Sequence, residues 1–427
     1  MDPATTALQA RRDGALGAGA PLFYAEPLHI VRGAGVQLFD AAGRAYVDMY
    51  NNVPCVGHAH PRIARAMARQ QGELNVHSRY LHEGVVAFAE RLAALHGPQI
   101  ESVIFSCSGT EANEIALRMA RFATGRRGIV CTDATYHGNS ELVGALTRVG
   151  SGEIAPPDIR AMPFPETFRP LPSANGDPAA PYLARLDAAI AQLEAAGAGF
   201  AALIICPIFA NEGLPDVPAG FMAQAAARVR AAGGLVIADE VQAGYGRTGR
   251  WWGYDAAGFT PDIVVTGKPM GAGLPLAATA ASRALVEIFR ARTRYFNTFA
   301  SSPLQAAVGM AVLDVIEDEG LIANAARVGA RLKAALIERA PRRPWIGDVR
   351  GEGLFIGVEL VTDPASRSPD RDRAVDVINR LKDKGFLTSN AGAFGNVVKI
   401  RPPLVFSDAD ADAFLAAWDA AVAEVHE

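Results

Sequence analysis

Between residues 100 and 270 the chain repeats one pattern: a short run apolar on both faces, a turn, then a stretch with helical spacing. The runs fall at 103–105, 128–131, 202–205, 235–238 and 263–265. A strand with one wet face alternates apolar and polar residues, and these do not. Both faces therefore need cover, which is the condition of strands inside a parallel sheet. The intervening stretches supply that cover. In 110–125, Ala112, Ile115, Ala116, Met119 and Ala123 recur on one helical face, and Gly125 gives a stop signal. Residues 221–232 repeat the arrangement and end at Gly233-Gly234. The pattern predicts an α/β domain with a mostly parallel sheet.

Outside this core the signals change. Alternation in 36–40 and 45–48 predicts a small antiparallel hairpin. Pro and Gly cluster between 163 and 181, which reads as a long surface loop. A long helix from about 301 to 317 leads to strand signals at 354–360 and 397–400. We divide the chain into a segment 1–50 that joins the small domain, a large domain 51–300, and a C-terminal small domain 301–427.

Composition serves mainly to exclude. A net charge of -4 gives no electrostatic footprint for nucleic acid. No apolar run approaches the ~18 residues of a membrane span. The opening MDPATTALQARRDG lacks the apolar core of an export signal, so a cytoplasmic protein is expected. The four cysteines (Cys55, Cys107, Cys131, Cys206) include no CxxC pair, which argues against zinc or a disulfide framework; they read as buried small hydrophobes rather than catalytic thiols.

Four places carry chemistry. Lys268, in 264-VVTGKPMGAG-273, lies just past a buried strand, where open α/β sheets bind ligands. Gly267 allows close backbone approach, and Pro269 disfavours helical geometry at Lys268. A desolvated lysine there has a lowered pKa and can attack a carbonyl. Asp239 ends the strand of 235-LVIADEVQAGYGRTG-249. It is a metal ligand, half of a buried ion pair, or an acid serving a cofactor; no His or Cys stands near to complete a metal set. The turn 106-SCSGTEANE-114 puts Ser108, Gly109 and Thr110 at a helix start, which is either a phosphate site or an ordinary cap. In 133-DATYHGNS-140, Tyr136 is placed to stack on a ring with His137 supporting it, or both are simply core.

The order and spacing of SGTEANE, YHG, ADEVQAGYGRTG, Lys268 and 297-NTFASSPLQAA-307 resemble the class III aminotransferases, a fold-type I family dependent on pyridoxal phosphate. The resemblance runs from about residue 38 to the end. It implies a large domain on a seven-stranded, mostly parallel sheet with a smaller α+β domain from both termini. It also implies roles. Ser108, Gly109 and Thr110 bind the cofactor phosphate, and Tyr136 and Val241 flank the ring. Asp239 pairs with the ring nitrogen and Gln242 meets the ring oxygen. Lys268 is the Schiff-base lysine and the acid/base of the proton shift. Thr298 resembles a threonine that reaches the phosphate from a neighbouring subunit, so a homodimer with shared sites is expected.

Departures bear on substrate. Where family members commonly carry Glu-Pro and then Gly-Glu, this chain reads 206-CPIFANEG-213: Cys206 replaces the first glutamate, and Asn211 stands at the place of an acid that masks a carboxylate-binding arginine. In 398-VKIRPPL-404, Lys399 takes the usual arginine position. Arg401 lies two residues on and faces the same side of a strand. They form a basic patch or a solvated strand end. The resemblance extends through 51-NNVPCVGHAHP-61 and 77-HSRYLHE-83 toward amine:pyruvate transaminases and phospho-amine lyases. His58, His60, His77 and His82 read there as loop and core residues, not a metal set. The expected reaction is amino transfer from an amine donor without an α-carboxylate to a 2-oxo acid such as pyruvate. Arg401 would hold the acceptor carboxylate, and Tyr50, Val53, Pro54 and Tyr80 would bound the donor pocket. The alternative reactions are loss of phosphate from a phosphorylated amino alcohol and, less favoured, cofactor binding without catalysis.

Overall fold

The computed structural model describes residues 3–150, 156–174 and 176–425. Three strands, β1 (Ile30–Ala34), β2 (Gln37–Asp40) and β3 (Ala45–Asp48), form an antiparallel meander that contains the expected hairpin. Seven more make the central sheet: β4 (Ser102–Ser106), β5 (Gly128–Thr132), β6 (Ile159–Met162), β7 (Phe200–Ile205), β8 (Leu235–Asp239), β9 (Ile263–Thr266) and β10 (Ala277–Ala281). Their order is β4-β10-β9-β8-β7-β5-β6. All are parallel except β10, which runs antiparallel to both its neighbours.

The five apolar runs are all strands of this sheet. Two further strands had no such signal. β10 reads AATAA, so each residue is buried yet contributes little apolar bulk, and β6 buries only its two end residues. Helix Gly109–Thr124 covers one face with Ala112, Ile115, Ala116, Met119 and their neighbours, and stops at Gly125 in the left-handed region (φ 69°). Helix Phe221–Ala231 packs its Phe221, Met222, Ala225, Ala226 and Val229 inward.

The C-terminal part adds β11 (Ile346–Glu352), β12 (Phe355–Leu360), β13 (Phe386–Leu387), β14 (Ser389–Ala391) and β15 (Val397–Ile400). β11-β12-β15-β14 form one antiparallel sheet. β13 pairs in parallel with β3, so the two ends of the chain share a sheet. The helix expected from 301 is Pro303–Asp318. No helix among the described residues is long and apolar enough to cross a membrane.

The Pro/Gly-rich segment from 163 is a loop as expected, without helix or strand among its described residues before helix Ala180–Ala195 and exposed at 172, 174 and 176–178; it is pinned near its start, where Glu166 is buried, Arg169 pairs with Glu359 of β12, and the Tyr182 hydroxyl donates to the Glu166 carbonyl at 3.1 Å. Asn175, within that segment, lies outside the described residues. Pro269 was expected to keep Lys268 out of helical geometry, yet Lys268 opens a 3-10 turn, Lys268–Gly271. A proline fits the first turn because its missing N–H would have no partner there.

Candidate active site

Parallel strands end at one edge of a sheet, and loops from those ends meet. Here the segments after β4, β5, β7, β8 and β9 converge on a cavity of about 220 Å³. The structure brings together in its wall all nine residues of this chain expected from sequence to hold the cofactor: Ser108, Gly109, Thr110, Tyr136, His137, Asp239, Val241, Gln242 and Lys268.

At one end is the start of helix Gly109–Thr124. The Ser108 side chain accepts the Glu111 N–H, while Glu111 accepts the Cys107 N–H at 2.6 Å. The turn is pressed against its neighbours: a Cβ at Gly109 would lie 3.0 Å from Val241 Cγ2. Gly138 closes the same corner with φ 143°, where a Cβ would sit 2.5 Å from Thr110 Oγ1. Only glycine serves there. Free N–H groups and the helix dipole make this end suited to an anion.

At the other end Asp239 is buried. Its Oδ2 accepts from Asn113 Nδ2 at 2.9 Å and meets His137 Nδ1 at 2.7 Å, and its Oδ1 accepts the Val241 N–H at 3.0 Å. Burial alone would raise its pKa; the bond and charge of His137, helped by Val241 and Asn113, outweigh that and hold the carboxyl below its usual range. This corrects the expected role of His137. Its two ring nitrogens are taken by Asp239 and by Thr135 Oγ1 at 2.7 Å, so it orients the acid rather than supporting Tyr136. Tyr136 is left half open to the cavity, at 47% exposure.

Lys268 sits between these ends. Its side chain faces open space within the cavity, while the surrounding protein depresses its pKa: desolvation lowers it, Asp239 opposes, and the charge of Arg401 lowers it further. A lysine so placed gives up its proton more readily than an exposed one.

Lys399 of β15 and Arg401, just past its end, stand outside this lining, and Arg401 reaches it through Gln242. Lys399 and Arg401 are both buried, so they are not a solvated strand end. Both heads lie over the ring of Phe355, at 5.6 and 5.1 Å. Arg401 Nε donates to the Tyr50 carbonyl at 2.9 Å and Nη1 donates to Gln242 Oε1. Gln242 Nε2 donates to Asn211 Oδ1 at 3.1 Å, and Asn211 Nδ2 donates to the Tyr136 carbonyl at 3.1 Å. Since arginine only donates, this chain of amides has one possible orientation. Among the described residues neither Lys399 nor Arg401 has a carboxylate partner. Burial, then Arg401 and Lys268, push the Lys399 pKa well below its ordinary value, and burial brings Arg401 down to about 10.

The remaining expected residues stand apart from this cavity's wall. Tyr50 touches it through Arg401 and is half-buried, Val53 and Pro54 are partly exposed, and Tyr80 is 65% exposed and stacked on His77. Thr298 is exposed, beside Phe299 at 75%. His58 meets Asp48, ten residues earlier, at 2.7 Å, and His60 meets Glu319, far along the chain, at 3.1 Å. Gly138, Cys206 and Asn211 also line the cavity, and sequence reasoning did not place them there. Cys206 and Asn211 had a signal, their departure from the family pattern. Gly138 had only its place beside His137.

The cavity thus offers an anion-binding helix start, an ionised acid at depth and a reactive lysine between them, and these fit pyridoxal phosphate. Residues 23–422 match the family described as Aminotransferase class-III. The chain is 37% identical over 416 residues to an alanine–glyoxylate aminotransferase 2-like protein of Drosophila melanogaster, covering 95% of this chain and 84% of that one. It is 32% identical over 417 residues to ethanolamine-phosphate phospho-lyase homolog 1 of Caenorhabditis elegans, covering 93% and 89%. A solved phospholyase from Arthrobacter in complex with phosphoethanolamine superposes with a TM-score of 0.94 at 41% identity, over 98% of this chain and all of that one. An omega transaminase from Pseudomonas jessenii in complex with PMP gives 0.85 at 25%, over 93% and 92%. The chain belongs to the class III aminotransferases, pyridoxal-phosphate enzymes of fold type I.

Proposed function

We propose that the enzyme eliminates phosphate from a phosphorylated amino alcohol. The observation that carries this is the pair Lys399 and Arg401, buried together over Phe355 and, among the described residues, with no carboxylate paired to either. Two like charges in a low-dielectric wall are costly unless an anion answers both. A carboxylate brings one negative charge. A phosphate monoester brings nearly two at neutral pH. Cys206 and Asn211 stand where the family pattern has acids, so the protein does not supply the missing charge itself. The likeness to a phospholyase holding phosphoethanolamine supports the same choice.

Bound in the cavity, pyridoxal phosphate supplies an electron sink that makes the hydrogen on an amine-bearing carbon acidic. The residues divide the rest. Ser108, Gly109 and Thr110 hold the cofactor phosphate, Tyr136 and Val241 hold the ring faces, and Asp239 keeps the ring nitrogen protonated. Gln242 has a second amide hydrogen for the ring oxygen, its first being engaged by Asn211. Lys268 would hold the cofactor covalently until the substrate amine displaces it, and the freed amine would take the proton from the substrate carbon. Lys399 and Arg401 hold the substrate phosphate.

Amino transfer to a 2-oxo acid such as pyruvate is the second reading, favoured by the aminotransferase relatives. A carboxylate on Arg401 would serve it, though Lys399 would then lack an anion. Both readings place residues 51–300 as the cofactor-binding lobe, with 1–50 and 301–427 as the smaller one. Both also suit a homodimer, in which exposed Thr298 with Phe299 and Tyr80 meets a second copy and reaches its phosphate turn. A reducing compartment such as the cytoplasm fits four free cysteines.

The test is a substrate panel on the holoenzyme. Phosphoethanolamine-like substrates should release inorganic phosphate, and amines with pyruvate should yield little alanine. Alanine without phosphate release would reverse the two readings. Lys268→Ala should abolish turnover and the absorbance of lysine-bound cofactor, and turnover near wild type would refute the role of Lys268.

A further inference from the structure

The elimination just proposed leaves a charge problem at the leaving group, and any solution to it rests on that reading. Lys268 takes the proton of the C–H bond, and the pair left on carbon becomes the new double bond. The C–O bond breaks with its pair on the bridging oxygen. A monoester dianion would then depart as a trianion unless that oxygen gains a proton. We infer that Lys399 is the proton donor to the departing phosphate: its ammonium protonates the bridging oxygen as the C–O bond breaks. The product leaves as hydrogen phosphate, Lys399 is left neutral, and water later returns its proton.

Arg401 is the anchor in this arrangement, not the donor. Its Nε is held by the Tyr50 carbonyl and its Nη1 by Gln242, and its backbone N–H donates to the Met49 carbonyl at 2.6 Å. A guanidinium also keeps its proton. Lys399 differs in each respect. Among the described residues its amine has no hydrogen bond or ion pair, so nothing fixes its proton elsewhere.

The groups around Lys399 decide when it is charged. Arg401 has its head over the same Phe355 ring, and Lys268 and Cys206 are close enough to act on Lys399 electrostatically. Glu212 is near, but its Oε1 is taken by the Thr132 hydroxyl at 2.5 Å, and its own pKa is raised by burial. On the flanking strands Arg350 and Glu359 are paired with each other. Burial and the two cations disfavour the ammonium, and the opposing pull of Cys206 and Glu212 does not offset them. An arriving dianion favours the ammonium, so phosphate binding should draw a proton toward Lys399.

The experiment compares wild type with Lys399→Arg, which keeps a cation but has no proton to give. On phosphoethanolamine the variant should lose about a hundredfold in kcat, the low end for a missing general acid. Its affinity for inorganic phosphate should stay within about threefold, under 1 kcal/mol. On 2-aminoethyl sulfate, whose sulfate departs as a stable dianion without a proton, the same variant should lose far less than on the phosphate ester. Equal losses on both esters, or no loss on the phosphate ester, would overturn the assignment. A second readout does not depend on turnover. Calorimetry of inorganic phosphate binding to the wild-type holoenzyme at pH 8, in two buffers of different ionisation enthalpy, should report uptake of about one proton by linkage. No uptake by wild type, or undiminished uptake by Lys399→Arg, also overturns it. A wild type that releases no phosphate from any phosphorylated amino alcohol refutes the functional reading itself; release with an unaffected variant refutes only the role of Lys399.

Discussion

One small sheet holds two kinds of buried cation. On β11, Arg350 pairs with Glu359 of β12, meets Asp348 at 3.1 Å and donates to the Gly213 carbonyl at 3.1 Å. Glu359 also accepts from Asn396 at 3.0 Å and pairs with Arg169. On β15, next to β12, Lys399 and Arg401 have neutral partners or none. The electrostatics follow the company kept. Burial opposes the charge of Arg350, yet its acids raise its pKa, whereas burial brings Arg401 down to about 10, because Tyr50 and the more distant Asp48 offset it only in part. Burial is common to both; a paired acid is what differs. A cation answered within the fold serves the fold, and one left unanswered is held for something that enters.

The largest effect should come from breaking the answered cluster. Glu359→Gln leaves Arg350 and part of Arg169 buried without their acid, a defect that costs roughly 3–5 kcal/mol. Urea denaturation of the holoenzyme measures it, and a loss below about 1 kcal/mol would mean that Asp348 and Glu166 suffice. Asp239→Asn tests the acid of the site. The charge-assisted bond it removes is worth roughly 1.5–3 kcal/mol, and more where charge develops during reaction. The fold should persist and turnover should nearly vanish. Normal turnover would show that Asp239 does not serve the ring nitrogen. Lys399→Met should act in the opposite direction on stability, raising it by about 1–2 kcal/mol because a buried amine without a hydrogen-bond partner is gone. Phosphate affinity should fall at least tenfold, about 1.4 kcal/mol. A destabilised Lys399→Met would erase the contrast between the two cation sets.

How much of this was legible in sequence depends on the range of each signal. Strand runs and helix stops are local, so five of the seven central strands and the helix after Ser108 could be read directly. β10 could not, because alanines are buried there by the strands on either side rather than by their own bulk. Motif residues could be placed in the site because strand ends converge wherever the sheet is parallel. Partners could not be read. That His137 serves Asp239, that Arg401 holds Gln242, and that Arg169 reaches Glu359 are contacts across 102, 159 and 190 positions, set by packing alone. The same applies to Lys399: its strand position was visible, but not that its amine has no paired acid among the described residues.

His96 sharpens the contrast by showing a third outcome for a buried basic group, which is to give up its proton. Its ring stacks on Trp252 with centroids 4.1 Å apart, Nδ1 meets the Tyr254 hydroxyl at 3.0 Å, and Nε2 has no partner. Burial pushes its pKa down to about 3. In the unfolded chain the ring takes a proton near pH 6.5. Between those two values the unfolded state holds the extra proton, so stability falls as pH drops through the window and is fully present above it. One group contributes a slope of at most about 1.4 kcal/mol per pH unit. His96→Phe keeps a ring on Trp252 and removes the titration. Denaturation at pH 6.5 and 5.5 should show wild type losing about 1 kcal/mol more than the variant over that step. Most carboxylates stay ionised across this interval, which isolates the histidine. Equal slopes would mean that the ring gains its proton without leaving the fold, and would place His96 with the answered charges.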